Sequence, residues 1–429
     1  MYKLIDKIYL SVWMALTLIL IFTKSTPIAY AVLGLIISQV FIIRESETIF
    51  EIFLLTTVAW GASLNLTYRM GSFMISDFSL LLLLLSIIMR KDALWRLLLK
   101  KNFVIECLAV WFIIWGLAQG FAFGNILQDF KLFLYMFVPY IYLSSVQVNN
   151  EFLSRIINVL KLYVIIVFLL ETTQLASVGL NVMIANGFGN RDVAIIVQFV
   201  PVVATLMLLQ KDSAISKVLF QIICFLACLL SFTRTIWITY AVSIFIVCFL
   251  GENSIQKNVK NIMVTFSFII AAFLIVSYAR PDLVEKYSNA VFSRLTDATN
   301  SNNTLEHRWI QSEALLKSKV LRPMTLIGAG YGEITELKNS VFMENSILYY
   351  LWKYGVVVTI CMLITILHNS WMAFRSHVPQ LRAVSMSLLI VLVVGNFSGN
   401  LNMYYFVPAL SFVFAYLQMC SNYYFNGEN

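Results

Sequence analysis

Predominantly apolar runs recur from one end of the chain to the other, and this repetition limits the fold more than any motif does. Fourteen can be placed, starting with residues 8–23, 28–43 and 50–65 and ending with 345–367, 383–398 and 403–419. Runs of this length can cross a hydrocarbon layer of about 30 Å as helices, which satisfy their backbone N–H and C=O groups internally. A content of 60% hydrophobic and 12% charged residues, with mean hydropathy +0.83, excludes an ordinary soluble domain. The sequence predicts an all-α polytopic membrane protein with about 12 to 14 transmembrane helices, forming a single integral membrane domain over residues 1–429.

One polar segment interrupts the pattern. Residues 279–344 carry eight of the thirty Lys and Arg, all of them between Ala279 and Met343, and lead into Asn345 at the head of the next apolar run. Short cytoplasmic loops of membrane proteins are enriched in Lys and Arg. With the N-terminus inside, sixteen of the cations fall in inside segments, against four in short outside loops (Lys24, Arg69, Arg191 and Arg234), with Lys131 and Lys353 inside spans. The long segment is therefore expected to face outward, and an error of two spans leaves that parity intact. A polar segment hung from one face of a membrane protein is where chemistry is to be sought.

The remaining global features exclude several classes. Lys3, Lys7 and the apolar stretch after them, with Ala29-Tyr30-Ala31, resemble a signal peptide, but the cleavage-like site lies inside the second apolar run. It is expected to stay uncleaved. The net charge of +8 follows the inside bias, so it points to lipid headgroups and the bilayer, with no nucleic acid as partner. All six cysteines fall in or beside spans, and His307, His368 and His377 make no metal-ligand spacing. No disulfide, metal site or cofactor is expected.

Four outward basic positions each carry two readings. Ser231-Phe232-Thr233-Arg234 forms a tight turn between spans; Arg234 either snorkels to headgroups or binds an anion, and it opposes the inside bias. Lys131, two residues after Asp129, is read most simply as a local pair with it. Arg191, in Gly187-Phe188-Gly189-Asn190-Arg191-Asp192, caps the next span, pairs with Asp192, or binds ligand. Asn303 and Glu306 read as a capping box, so residues 304–321 are expected to form a helix within the loop. Leu305, Trp309, Leu316 and Val320 would share its apolar stripe, with Arg308 at the border. That places an amphipathic helix on the membrane surface.

Gly328-Ala329-Gly330-Tyr331-Gly332 follows. With no strand before it and no βαβ unit around it, the motif predicts a tight backbone turn over the membrane surface, not a dinucleotide site. Glu344-Asn345-Ser346 opens the next span, where a carboxylate suits the helix dipole and caps free amides. Lys353 lies on roughly the opposite face from Glu344. Tyr331, Tyr349, Tyr350 and Trp352 either stack on sugar rings or sit in an interfacial aromatic belt.

In this order and with this sidedness, the stretch resembles the O-antigen ligase and polymerase family of bacterial envelope glycosyltransferases. The resemblance rests on Ser231 to Arg234, Arg308-Trp309 on a loop helix, Gly328-x-Gly330-x-Gly332, Glu344-Asn345-Ser346 and Gly355, and covers about residues 187–360. Glu344 stands where ligases of the family usually carry His, which favours a polymerase most like the O-antigen type. The span count also exceeds that usual in the family.

The resemblance implies a bacterial inner-membrane enzyme with its long loop in the periplasm. Its substrate would be an oligosaccharide carried on a polyprenyl diphosphate, with a chain-length regulator and a flippase as partners. Arg234, Arg308 and Arg191 would hold the diphosphate without a metal, and Glu344 would serve as general base. Two alternatives remain: a ligase transferring to lipid A core, and a non-enzymatic flippase or transporter of lipid-linked oligosaccharide. Asp77, Glu106 and Glu171 within spans suit a transporter, while the absence of a visible repeat does not.

Overall fold

The computed structural model describes residues 2–42, 46–60, 73–89, 103–145, 150–178, 197–250 apart from Lys211 and Phe232, 326–333, 346–376 and 379–398. It also describes residues 64, 68 and 292, most positions of 259–289, and 310 with 312–317. The described chain is overwhelmingly helical, as the apolar runs require, and is an all-α polytopic membrane protein.

The helices are α1 (Tyr2–Thr23), α2 (Thr26–Ile42), α3 (Ser46–Leu54), α4 (Ile75–Met89), α5 (Phe103–Ala118) and α6 (Phe123–Ser145). They continue with α7 (Asn150–Val178), α8 (Val200–Leu209), α9 (Ala214–Leu230), α10 (Arg234–Leu250), α11 (Ser346–Arg375) and α12 (Pro379–Ser398). Among the described residues, four stretches are long and apolar enough to cross a membrane: Asp6–Thr23, Phe123–Leu143, Ser154–Ala176 and Ile347–Arg375. Shorter apolar helices pack among them, including all or part of α2, α4, α5, α8, α9, α10 and α12. Large apolar side chains such as Phe22, Met89, Ile215 and Phe245 point outward, as they do when the solvent is lipid.

α8 is the most enclosed helix, with all ten of its residues buried among α7, α9, α10 and α12. Its sequence shows no polar face because no side of it meets water. The antiparallel pairing of α8 and α9 is tied by Gln221 Nε2 donating to the Ala204 carbonyl (2.8 Å) and Lys217 Nζ to the Leu208 carbonyl (3.0 Å). α3 widens into a π turn over Leu55–Ala59. There the Thr56 and Thr57 hydroxyls donate back to the Ile52 and Phe53 carbonyls (2.6 and 2.7 Å), which helps to hold the loosened turn.

Two buried clusters result among the described residues. The larger runs through α1–α4, α6–α10, the end of α11 and α12; the smaller joins α5, the start of α6, Leu315, Tyr331 and the first turns of α11. Ion pairs gather at both ends of the bundle. At one end Arg155 Nε meets Glu51 Oε1 (2.6 Å) and Lys161 meets Asp212 (2.6 Å). At the opposite end, where α5 turns into α6, lie the charges of the candidate site.

Several expectations need correction. Lys131 does not pair with Asp129; its Nζ lies 2.5 Å from Asp77 Oδ2 on α4, and Tyr135 donates to the other oxygen of the same carboxylate (2.6 Å). Positions i and i+2 on a helix point to different faces, so Asp129 and Lys131 could not meet. Of the expected apolar stripe only Leu316 is described; it is 37% exposed, while its neighbour Leu315 is buried. Leu305, Trp309 and Val320 lie outside the described residues. Every described residue from 259 to 289 is helical, so part of the polar segment, at 281–282 and 284–289, is helix.

Candidate functional site

The five-residue glycine turn folds into the bundle and not over its surface. Three of its residues, Gly328, Gly330 and Gly332, hold φ of 82°, 80° and 96°, a region closed to most side chains. The Ala329 and Gly330 amides donate to the Trp352 and Lys353 carbonyls (2.8 and 3.0 Å), and the Tyr331 amide to the Phe112 carbonyl of α5 (3.3 Å). The turn therefore supplies donors to carbonyls of α11 just before that helix breaks at Gly355, where φ is 77° and ψ 173°. Gly328 and Gly355 face each other so closely that a Cβ on either would lie 2.5 Å from backbone atoms of the other. Glycine is needed at both places because two main chains cross there.

A third close approach comes from α5. A Cβ on Gly116 would sit 2.2 Å from the Tyr331 carbonyl oxygen. Gly116→Ala would gain about 1 kcal/mol of helix propensity, yet the clash is with main chain and cannot be relieved by a rotamer. The expected outcome is net destabilisation by about 1–3 kcal/mol, checked by thermal unfolding in detergent; equal or higher stability would mean that the turn is not docked on α5.

Under the turn, Asp129 near the start of α6 joins three elements. Its Oδ2 lies 2.7 Å from Lys353 Nζ and accepts the Gly332 amide (2.8 Å), and its Oδ1 accepts the Tyr349 hydroxyl (3.0 Å). Both side chains of the ion pair are fully buried. Lys353 also donates to the Glu333 carbonyl (2.5 Å) and lies 4.2 Å from the Trp352 ring centroid, a cation–π contact. Trp352 Nε1 donates in turn to the Glu333 carboxylate. Tyr331, Tyr349 and Trp352 are each at most 1% exposed, packed with Phe112 and Tyr354. They are core, not an interfacial belt.

Arg234 is the first residue of α10 and half-buried. The turn before it is tightly bonded. The Ser231 hydroxyl donates to the Cys228 carbonyl (2.6 Å) and accepts the Thr233 amide (3.3 Å); the Thr233 hydroxyl donates to the Ser231 carbonyl (3.0 Å). Trp237 Nε1 donates to the same Cys228 carbonyl (2.8 Å). Among the described residues no carboxylate pairs with Arg234. A cation at a helix N-terminus opposes the dipole, and no acid among the described residues offsets it. Beside it, the Thr235 hydroxyl is buried without a hydrogen-bond partner. The polar segment reaches this turn through Tyr287, whose hydroxyl donates to the Leu229 carbonyl (3.2 Å). Burial pushes the Tyr287 phenol above its ordinary range, which keeps it a donor at neutral pH.

Of the residues singled out in the sequence, Arg234 is thus located at the rim of the bundle. Arg191, Arg308 and Glu344 lie outside the described residues. The buried pair Asp129–Lys353 escaped sequence reasoning. Its signal was a lysine inside one apolar run and an aspartate at the edge of another, charges that in lipid must find partners. No protein-family model matches the chain, and no curated protein matches it.

Proposed function

We propose that the protein is a polymerase that joins polyprenyl-diphosphate-linked oligosaccharide repeat units, of O-antigen or a related surface polysaccharide, at the outer face of the bacterial inner membrane. The observation that carries this reading is Arg234: a half-buried guanidinium, fixed by a bonded turn, without an acidic partner among the described residues, beside an unpartnered hydroxyl. Such a group suits a diphosphate at headgroup level, because guanidinium stays charged and binds phosphate oxygens in a fork.

In the reaction the bond between sugar C1 and the diphosphate oxygen breaks, and its electron pair leaves with the polyprenyl diphosphate. The acceptor hydroxyl oxygen forms the new bond to C1 and gives its proton to the base, Glu344. Arg234, with Arg308 and Arg191, stabilises the charge growing on the leaving group. No metal is required for that charge stabilisation. By analogy with the family, the displacement is single and inverts C1.

The test is reconstitution with lipid-linked repeat units already presented on the outer leaflet. Lengthening of the glycan supports the enzyme; intact, folded protein that moves lipid-linked units but lengthens none supports a transporter and overturns the reading. In the same assay Glu344→Gln is expected to lower the rate by about 10² to 10⁴, and an undiminished rate would remove Glu344 from the base role.

A further inference from the structure

The buried charges under the glycine turn point to a device that sets the geometry of the rim. α11 is in two pieces: a stub from Ser346 to Tyr354 and a longer piece beyond Gly355. The stub is not held by continuous helix. It is held sideways, through the Trp352 and Lys353 carbonyls bonded to the turn and through Tyr349 and Lys353 bonded to Asp129. Asp129 also holds the far side of the turn through the Gly332 amide. One carboxylate thus fixes α6, the turn and the stub as a single block. Neither member of the ion pair is exposed, so neither can touch a substrate.

We propose that Asp129 and Lys353 are positioning residues, which lock the 328–332 turn to the stub of α11 and thereby aim the rim at which the stub begins. The proposal rests on the polymerase reading for the chemistry it serves, but the clamp itself is a structural claim. Its logic is that a misplacement of about 1 Å at a reacting centre costs roughly 10² in rate, whereas loss of a neutral fold element would cost folded protein instead.

The decisive variant is the double substitution Asp129→Asn with Lys353→Met. It removes both charges together, so no lone buried charge remains, while the Asn side-chain oxygen can still accept the Gly332 amide. We expect the folded fraction to stay near that of the natural protein and the donor KM to change less than about twofold, while kcat per folded molecule falls at least about tenfold. Hydrogen exchange at Ala329, Gly330 and Tyr331 should rise about tenfold or more, with α8 still protected. Gly328→Ala, which forces the turn off Gly355 while leaving both charges in place, should give the same pattern and covers the case in which the double variant does not fold.

Unchanged kcat together with unchanged exchange in either folded variant overturns the clamp, as does a loss confined to the folded fraction. Natural protein that lengthens no glycan sinks the polymerase reading alone; the clamp then stands or falls on hydrogen exchange in the same variants.

Discussion

Arg234→Gln is expected to abolish most turnover while leaving the protein as stable as before. The side chain is half-buried and has no carboxylate partner among the described residues, and the hydrogen bonds of its turn come from Ser231, Thr233 and Trp237. Removing the guanidinium therefore breaks no described ion pair. It removes a fixed positive charge from the place where the proposed leaving group gathers negative charge, a change of about 10² to 10³ in rate. Arg234→Lys keeps the charge but loses the planar fork, so it should recover only part of the activity. The measurement is glycan lengthening by reconstituted protein, with thermal unfolding alongside. Full activity in the Gln variant would take Arg234 out of the diphosphate site.

The largest effect on stability is expected from Lys353→Met. The substitution is close in volume and leaves no cavity, so packing changes little. What changes is Asp129, which keeps a buried carboxylate with only the Gly332 amide and the Tyr349 hydroxyl as donors. Breaking one side of a buried pair costs about 3 to 5 kcal/mol, far more than the exposed pair Lys317–Glu313 could contribute. Thermal unfolding in detergent should show a clear loss for Lys353→Met and partial recovery when Asp129→Asn is added. Lys353→Met as stable as the natural protein would mean that the pair is not formed.

These two residues show what could be read from the sequence and what could not. The helical membrane architecture was legible because lipid demands long apolar helices, and that demand is written in every run. Arg234 could be singled out because it breaks the inside bias at a short turn. Asp129–Lys353 was hidden by distance, since 224 positions separate the partners. The apparent local pair of Asp129 and Lys131 drew attention away from it, although helix geometry alone forbids that pair. The burial of Tyr331, Tyr349 and Trp352 was illegible for a different reason: an aromatic near a span end reads alike at an interface and in a core until the path of the glycine turn is known.

The interruption of α11 at Gly355 also bears on how the protein meets its bilayer. The nine residues before the break rise only about 13 Å, less than half of a hydrocarbon layer of about 30 Å. The twenty residues beyond it are joined instead to α12, whose Ser385 hydroxyl donates to the Ser370 carbonyl (2.7 Å). Because the short piece is fastened to the glycine turn and to α6, and the longer one to α12, the two take their directions from different neighbours at the glycine. The depth at which the stub sits is thereby set by the turn and Asp129, and not by the length of the helix that follows.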